Sequence, residues 1–285
     1  MVKSCPSWMH YCAKGKDWST SLISIGCVSM CVLLVCCISL FILYRINMHQ
    51  LVHMRQHYKI FVAVIVCVVF RVPWWFMNIV TYEDDSPPVI AVLMLNRICM
   101  LALYLAQSFY VQTWLRVILA LRQFKNESVL KVLFFALDSI ITVLMLCEII
   151  YKAFDVSTPT GYSFIYELGV DFMACCSLLS CILYLSVGSV LLFKLKSYFS
   201  FCSKTIQSFV IVSVILTLSA LSRFICLFYK SFFNKYMKNE LFAVLCYFVP
   251  DFIPISCILI MQTVVYSGER KKRSILQEQE ASTYT

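Results

Sequence analysis

The chain has 285 residues, 61% of them hydrophobic and only 14% charged, with a formal net charge of +9. That balance excludes a soluble globular domain. The connections between apolar stretches are too short to house a separate catalytic module, and the positive charge follows from the loops described below, so no nucleic-acid partner is required.

About 20 apolar residues cross the roughly 30 Å of hydrocarbon in a bilayer, and this criterion places seven spans along the chain. Residues 1–21 form a polar tail in which Cys5 and Cys12 can pair locally. The first span, Leu22–Tyr44, is followed by Tyr44-Arg45-Ile46-Asn47 rather than a small-residue cleavage site, so it is expected to stay in the mature chain. In the loop after it, His49, His53 and His57 recur at the spacing of one helical face. Adjacent pairs have the spacing of a two-histidine zinc site. Arg55 and Lys59 interleave with them and would repel a cation, so this stretch reads as an interfacial basic helix and no metal is implied.

The second span, Ile60–Val80, carries Arg71 inside it, a kink-forming Pro73, and Trp74-Trp75, read as interfacial or packing residues. An acidic loop, Glu83-Asp84-Asp85, leads to Ser86-Pro87-Pro88, a helix start signal. The third span, Val89–Leu119, contains Arg97 and ends near Arg116, and its length requires it to tilt or to project beyond the membrane. The fourth, Leu130–Tyr151, holds Asp138 and Glu148; the fifth, Ile165–Phe193, holds Asp171; the sixth, Thr205–Tyr229, holds Arg223. The seventh, Leu241–Tyr266, holds Asp251, with Pro250 and Pro254 expected to interrupt it twice. Residues 267–285 begin with the basic run Arg270-Lys271-Lys272-Arg273, suited to anionic cytoplasmic lipid, and the polar stretch from Gln277 to Thr285 is expected to be disordered.

Helices and closed barrels are the backbones that satisfy their own hydrogen bonds in lipid. The expected fold is therefore an all-α, seven-transmembrane bundle over residues 22–266. Lysines and arginines set its orientation. One side carries Arg45, Arg55 and Lys59, Arg122, Lys125 and Lys131, Lys194, Lys196 and Lys204, and the run from Arg270 to Arg273, thirteen in all. The other carries seven: Lys3, Lys14, Lys16, Lys152, Lys230, Lys235 and Lys238. The first side is expected to be cytoplasmic, with the N-terminus lumenal or extracellular and the C-terminus in the cytosol. Most of the sixteen cysteines fall within spans, where cysteine acts as a small hydrophobe.

An ionised group at the bilayer centre costs roughly 2.5–3.5 kcal/mol on insertion scales, so buried charges mark the protein interior. At about 1.5 Å per residue, Arg97, Asp171, Arg223 and Asp251 lie roughly 9–15 Å from their lumenal helix ends, and Arg71 reaches a similar layer. These five form the expected buried charge network. It can serve as packing, as a polar ligand or ion site, or as a proton relay. No cofactor is implied: the seventh span has no lysine for a retinal Schiff base, and no Walker motif, nucleophile elbow or His-Glu-x-x-His is present.

Seven spans raise the question of a G-protein-coupled receptor, but the rhodopsin-like motifs are missing. The third span ends in Trp114-Leu115-Arg116, the sixth has no proline, and the seventh reads Pro250-Asp251-Phe252-Ile253-Pro254. The stretch from Tyr247 to Ser256 instead resembles the acid-x-x-Pro-Ser seventh helix of the tobamovirus-multiplication family and its lysosomal orphan receptor-like relatives. Arg223 in Ser222-Arg223-Phe224, Arg71 in Phe70-Arg71-Val72-Pro73, and Tyr110 and Trp114 followed by Arg122 resemble that family's sixth-, second- and third-helix patterns. Arg116 stands near a position where the family carries Glu, Pro250 is an additional proline, and Ser256 comes one residue late. The resemblance implies a non-enzymatic endolysosomal or vacuolar membrane protein whose cytoplasmic face recruits small GTPases, with its ligand unspecified. The competing expectations are a chemosensory receptor of a non-rhodopsin class at the plasma membrane, coupled to a G protein, and a small-solute transporter.

Overall fold

The computed structural model describes residues 20–47, 55–83, 89–122, 127–154, 162–198, 204–233 and 239–264, and every one of them is helical. Helices α1 (Thr20–Asn47), α2 (Arg55–Glu83), α3 (Val89–Arg122), α4 (Glu127–Phe154), α5 (Tyr162–Tyr198) and α6 (Lys204–Phe233) are uninterrupted. The seventh helix has three consecutive parts: α7 (Asn239–Phe242), a π-helical stretch Ala243–Phe248, and α-helix over residues 249–264. Among the described residues, seven helices are long and apolar enough to cross a membrane. At about 1.5 Å per residue, the 34 residues of α3 and 37 of α5 exceed the hydrocarbon thickness, so both extend past it. Cys5, Cys12, His49, His53 and the basic run Arg270 to Arg273 lie outside the described residues.

Amphipathicity does not orient these helices, because both faces are apolar, and burial separates the faces instead. On α1, Met30, Leu33 and Cys37 are buried while Val28, Val32 and Val35 are exposed, at the i, i+3, i+4 spacing of two opposite helical faces. α3 lies at the centre, packing against α2, α4 and α5, with α5 against α6, α1 on α2, and the seventh helix on α6. Accordingly, 61% of the α3 span is buried, against 28% of the α1 and α4 spans. Small residues set the closest approaches, as membrane packing requires: a Cβ on Gly26 would stand 3.0 Å from the Trp75 ring. The thiol of Cys99 on α3 reaches the Cys67 carbonyl on α2 at 3.2 Å.

Two expected interruptions of the seventh helix are replaced by one feature, the π-helical stretch ahead of Pro250. Residues 249–264 stay α-helical through Pro254. Pro73 lies inside α2 without breaking it. The π-helix follows from the chemistry of Pro250. Its nitrogen carries no hydrogen, so neither Cys246 (in α register) nor Leu245 (in π register) can receive a bond from it. The Val249 amide, one residue earlier, bonds the Val244 carbonyl, five residues back. Helix α6 supplies the missing donors: the Ser222 hydroxyl donates to Leu245 O at 2.7 Å and Arg223 Nε to Cys246 O at 3.3 Å. Ser219 Oγ donates to Val249 O, also at 3.3 Å.

Candidate functional site: a buried arginine and aspartate node

Asp251 sits one residue after that proline and is fully buried. Two arginines from distant parts of the chain reach it. Arg71 Nη2 on α2 lies 2.6 Å from Asp251 Oδ2, and Arg223 Nη2 on α6 donates to Asp251 Oδ1. Arg71 also donates from Nη1 to Asn96 Oδ1 on α3 at 2.8 Å. The planar fork of arginine explains the choice of residue: it engages two acceptors at once and keeps its charge when buried. The node therefore joins α2, α3, α6 and the seventh helix, and two guanidiniums share a single carboxylate.

Aromatic faces complete the Arg71 environment. Its guanidinium carbon is 4.6 Å from the centroid of the Trp74 ring and 5.5 Å from that of Tyr247, distances at which a ring quadrupole attracts a cation. The Trp74 and Tyr247 centroids are themselves 4.6 Å apart. Trp74 and Trp75 are both buried, so they belong to the core and not to an interfacial belt. Beside the node, a cavity of about 20 Å³ is lined by Tyr104, Gln107, Ser177, Ser180, Arg223 and Pro250 among others. That is room for one water, and the site is polar enough to hold it.

Arg97 belongs to a second cluster. It pairs with Glu148 of α4 at 3.0 Å, and the pair packs onto Gly169 of α5. A Cβ at Gly169 would overlap the Glu148 carboxylate and stand 3.2 Å from Arg97 Nη2. Asp171 is half-buried two residues further along α5. Of the five charges expected in one layer, Arg71, Arg223 and Asp251 meet in the node, while Arg97 partners Glu148 in a separate pair. Depth counted along a helix misses this because it ignores rotation: Glu148 and Arg97 face each other across the Gly169 gap.

Asp138 forms a third polar site. It is buried on α4 and accepts from Ser108 Oγ at 2.7 Å and Gln112 Nε2 at 3.0 Å, both on α3. The sequence alone had singled out the acid but neither donor. Asn96, Trp74 and Ser222 were likewise not singled out as members of the node, although a polar Asn in a span and a Ser beside a buried Arg are usable signals. Trp114 closes the other part of the core, with its ring 4.8 Å from Phe209 and 5.1 Å from Tyr110.

Among the described residues, no three His, Cys, Asp or Glu side chains group as metal ligands. No family model matches the chain, and no curated protein and no solved structure matches it either.

Proposed function

We propose that this chain is a non-enzymatic, receptor-like seven-helix protein of an endolysosomal or vacuolar membrane. Its N-terminus is lumenal, its C-terminus is cytosolic, and its cytoplasmic face recruits a small GTPase. One observation carries the reading. Arg71, Arg223 and Asp251, three of the positions on which the resemblance to the tobamovirus-multiplication family rests, lie far apart in the chain and meet at one buried node. The convergence is what the resemblance requires, and it is also what buried charges in any membrane bundle favour. The thirteen lysines and arginines on one side of the bundle suit both the orientation and a protein-binding cytoplasmic face.

A C-terminal tag carrying a proximity-labelling enzyme, expressed in the protein's own cells with selective permeabilisation, tests this reading. It predicts a cytosolic tag on an endolysosomal or vacuolar membrane, and labelled small GTPases that increase when the GTPase is locked in its GTP state. Plasma-membrane residence with labelled heterotrimeric G proteins would favour the chemosensory reading instead.

A transporter is the second reading, favoured by a run of polar groups. Arg223 and Tyr104 line the same small cavity, Tyr104 lies beside Asp138, and Asp138 borders a groove at the bundle surface. Proteoliposomes under a pH gradient separate the two readings. Proton flux lost in Asp138→Asn supports transport; a tight bilayer removes it.

A further inference from the structure

The surface groove bordered by Asp138 has a composition that the node does not explain. It lies along α3 and α4, reaches the start of the α2 span, and encloses about 670 Å³. Lys59 is the second residue of the α2 span, and Arg116 lies three residues before the end of the α3 span. At about 1.5 Å per residue both stand within about 5 Å of the same membrane boundary. That boundary belongs to the side with the excess of lysines and arginines. Both side chains are exposed, and neither makes an ion pair with a carboxylate among the described residues. Lys59 Nζ lies 5.9 Å from the centroid of the Phe109 ring, over the groove wall.

Below these two cations the walls are apolar, with Phe109 on α3 and Phe135 on α4, the latter 74% exposed. Level with Phe109, whose neighbour Ser108 bonds the Asp138 carboxylate, the polarity changes sign. Asp138 lies six residues inside the α4 span that begins at Val132, about 9 Å below the boundary. Its carboxylate is held by Ser108 and Gln112.

We propose that this groove binds one anionic glycerophospholipid, with its phosphate between Lys59 and Arg116 and an acyl chain against Phe109 and Phe135. Charge complementarity argues for this occupant. A headgroup phosphate at the interface neutralises two cations that pair with no carboxylate among the described residues, and basic pockets between helices on the cytoplasmic side are suited to such headgroups. The carboxylate of Asp138 repels a second anionic group and so holds the phosphate at the mouth. The apolar walls, open to the surrounding hydrocarbon, fit an acyl chain better than a peptide backbone, whose amides would lack partners there.

The test uses the full chain in detergent, titrated with phosphatidylserine or phosphatidylcholine and read by native mass spectrometry. The site predicts one retained phosphatidylserine, preferred over phosphatidylcholine by on the order of tenfold, given roughly a fivefold effect per juxtamembrane cation. In the double variant Lys59→Gln, Arg116→Gln the preference should fall to within about twofold, while Lys59→Arg, Arg116→Lys should keep it. Equal retention of the two lipids by the unmodified chain, or an unchanged preference in the charge-removed variant, would overturn the proposal. Should the charge-removed variant fail to fold, salt titration of the unmodified chain serves. A preference that collapses with rising ionic strength supports the site, and one indifferent to salt contradicts it.

Discussion

Arg71 shows how much one buried cation has to satisfy. Its guanidinium pairs with Asp251, donates to Asn96 and lies against two aromatic rings, while its Nε and Nη2 make no hydrogen bond among the described residues, Nη2 meeting Asp251 as an ion pair. Lysine would keep the charge and lose the fork and the flat face. Arg71→Lys is therefore expected to destabilise the bundle by about 1–3 kcal/mol, the cost of a lost charged hydrogen bond. Thermal unfolding in detergent reads this, and an unshifted midpoint would show that charge alone suffices. A second residue-scale contrast concerns glycine. At Gly169 an added Cβ meets the carboxylate of a buried ion pair, whereas at Gly188 it meets the small Ser213 hydroxyl at 2.6 Å, which can rotate away. Gly169→Ala should cost about 1–3 kcal/mol by overpacking, and Gly188→Ala clearly less. Equal losses in the same unfolding assay would count against the Glu148 contact.

The informative element is the seventh helix, where Pro250 removes a backbone donor and α6 replaces it through Ser222 and Arg223. Two elements that share their hydrogen bonds in this way should show coupled mutations. Ser222→Ala alone leaves the half-buried Leu245 carbonyl without its donor, a loss of about 1–3 kcal/mol. In a Pro250→Ala background the restored amide can close the helix, and the same Ser222→Ala change should cost markedly less. A double-mutant cycle on unfolding free energies measures the coupling. Strict additivity would mean that the π-helical stretch does not depend on the proline.

For the whole molecule, the seven helices were legible in the sequence because bilayer thickness sets a length rule that composition alone satisfies. Six of the seven predicted spans lie wholly inside the observed helices, and the seventh overruns the described end by two residues. The partners of the buried charges were not legible. A helix that is apolar all round carries no sign of which face meets which neighbour, so Arg97 could be assigned a depth but not Glu148 as its partner. The same blindness hid Trp74 in the node, since a tryptophan near a span end also suits the membrane interface.

Asp251 is the common anion of two arginines and, through them, ties four helices together. Thermal unfolding of Asp251→Asn beside Arg223→Gln, in the same detergent, tests this most directly. Removing the carboxylate leaves two buried guanidiniums without counter-charge, whereas removing Arg223 leaves one balanced pair. The expected loss for Asp251→Asn is about 3–5 kcal/mol, larger than that for Arg223→Gln. An Asp251→Asn chain that unfolds together with the unmodified protein would contradict it.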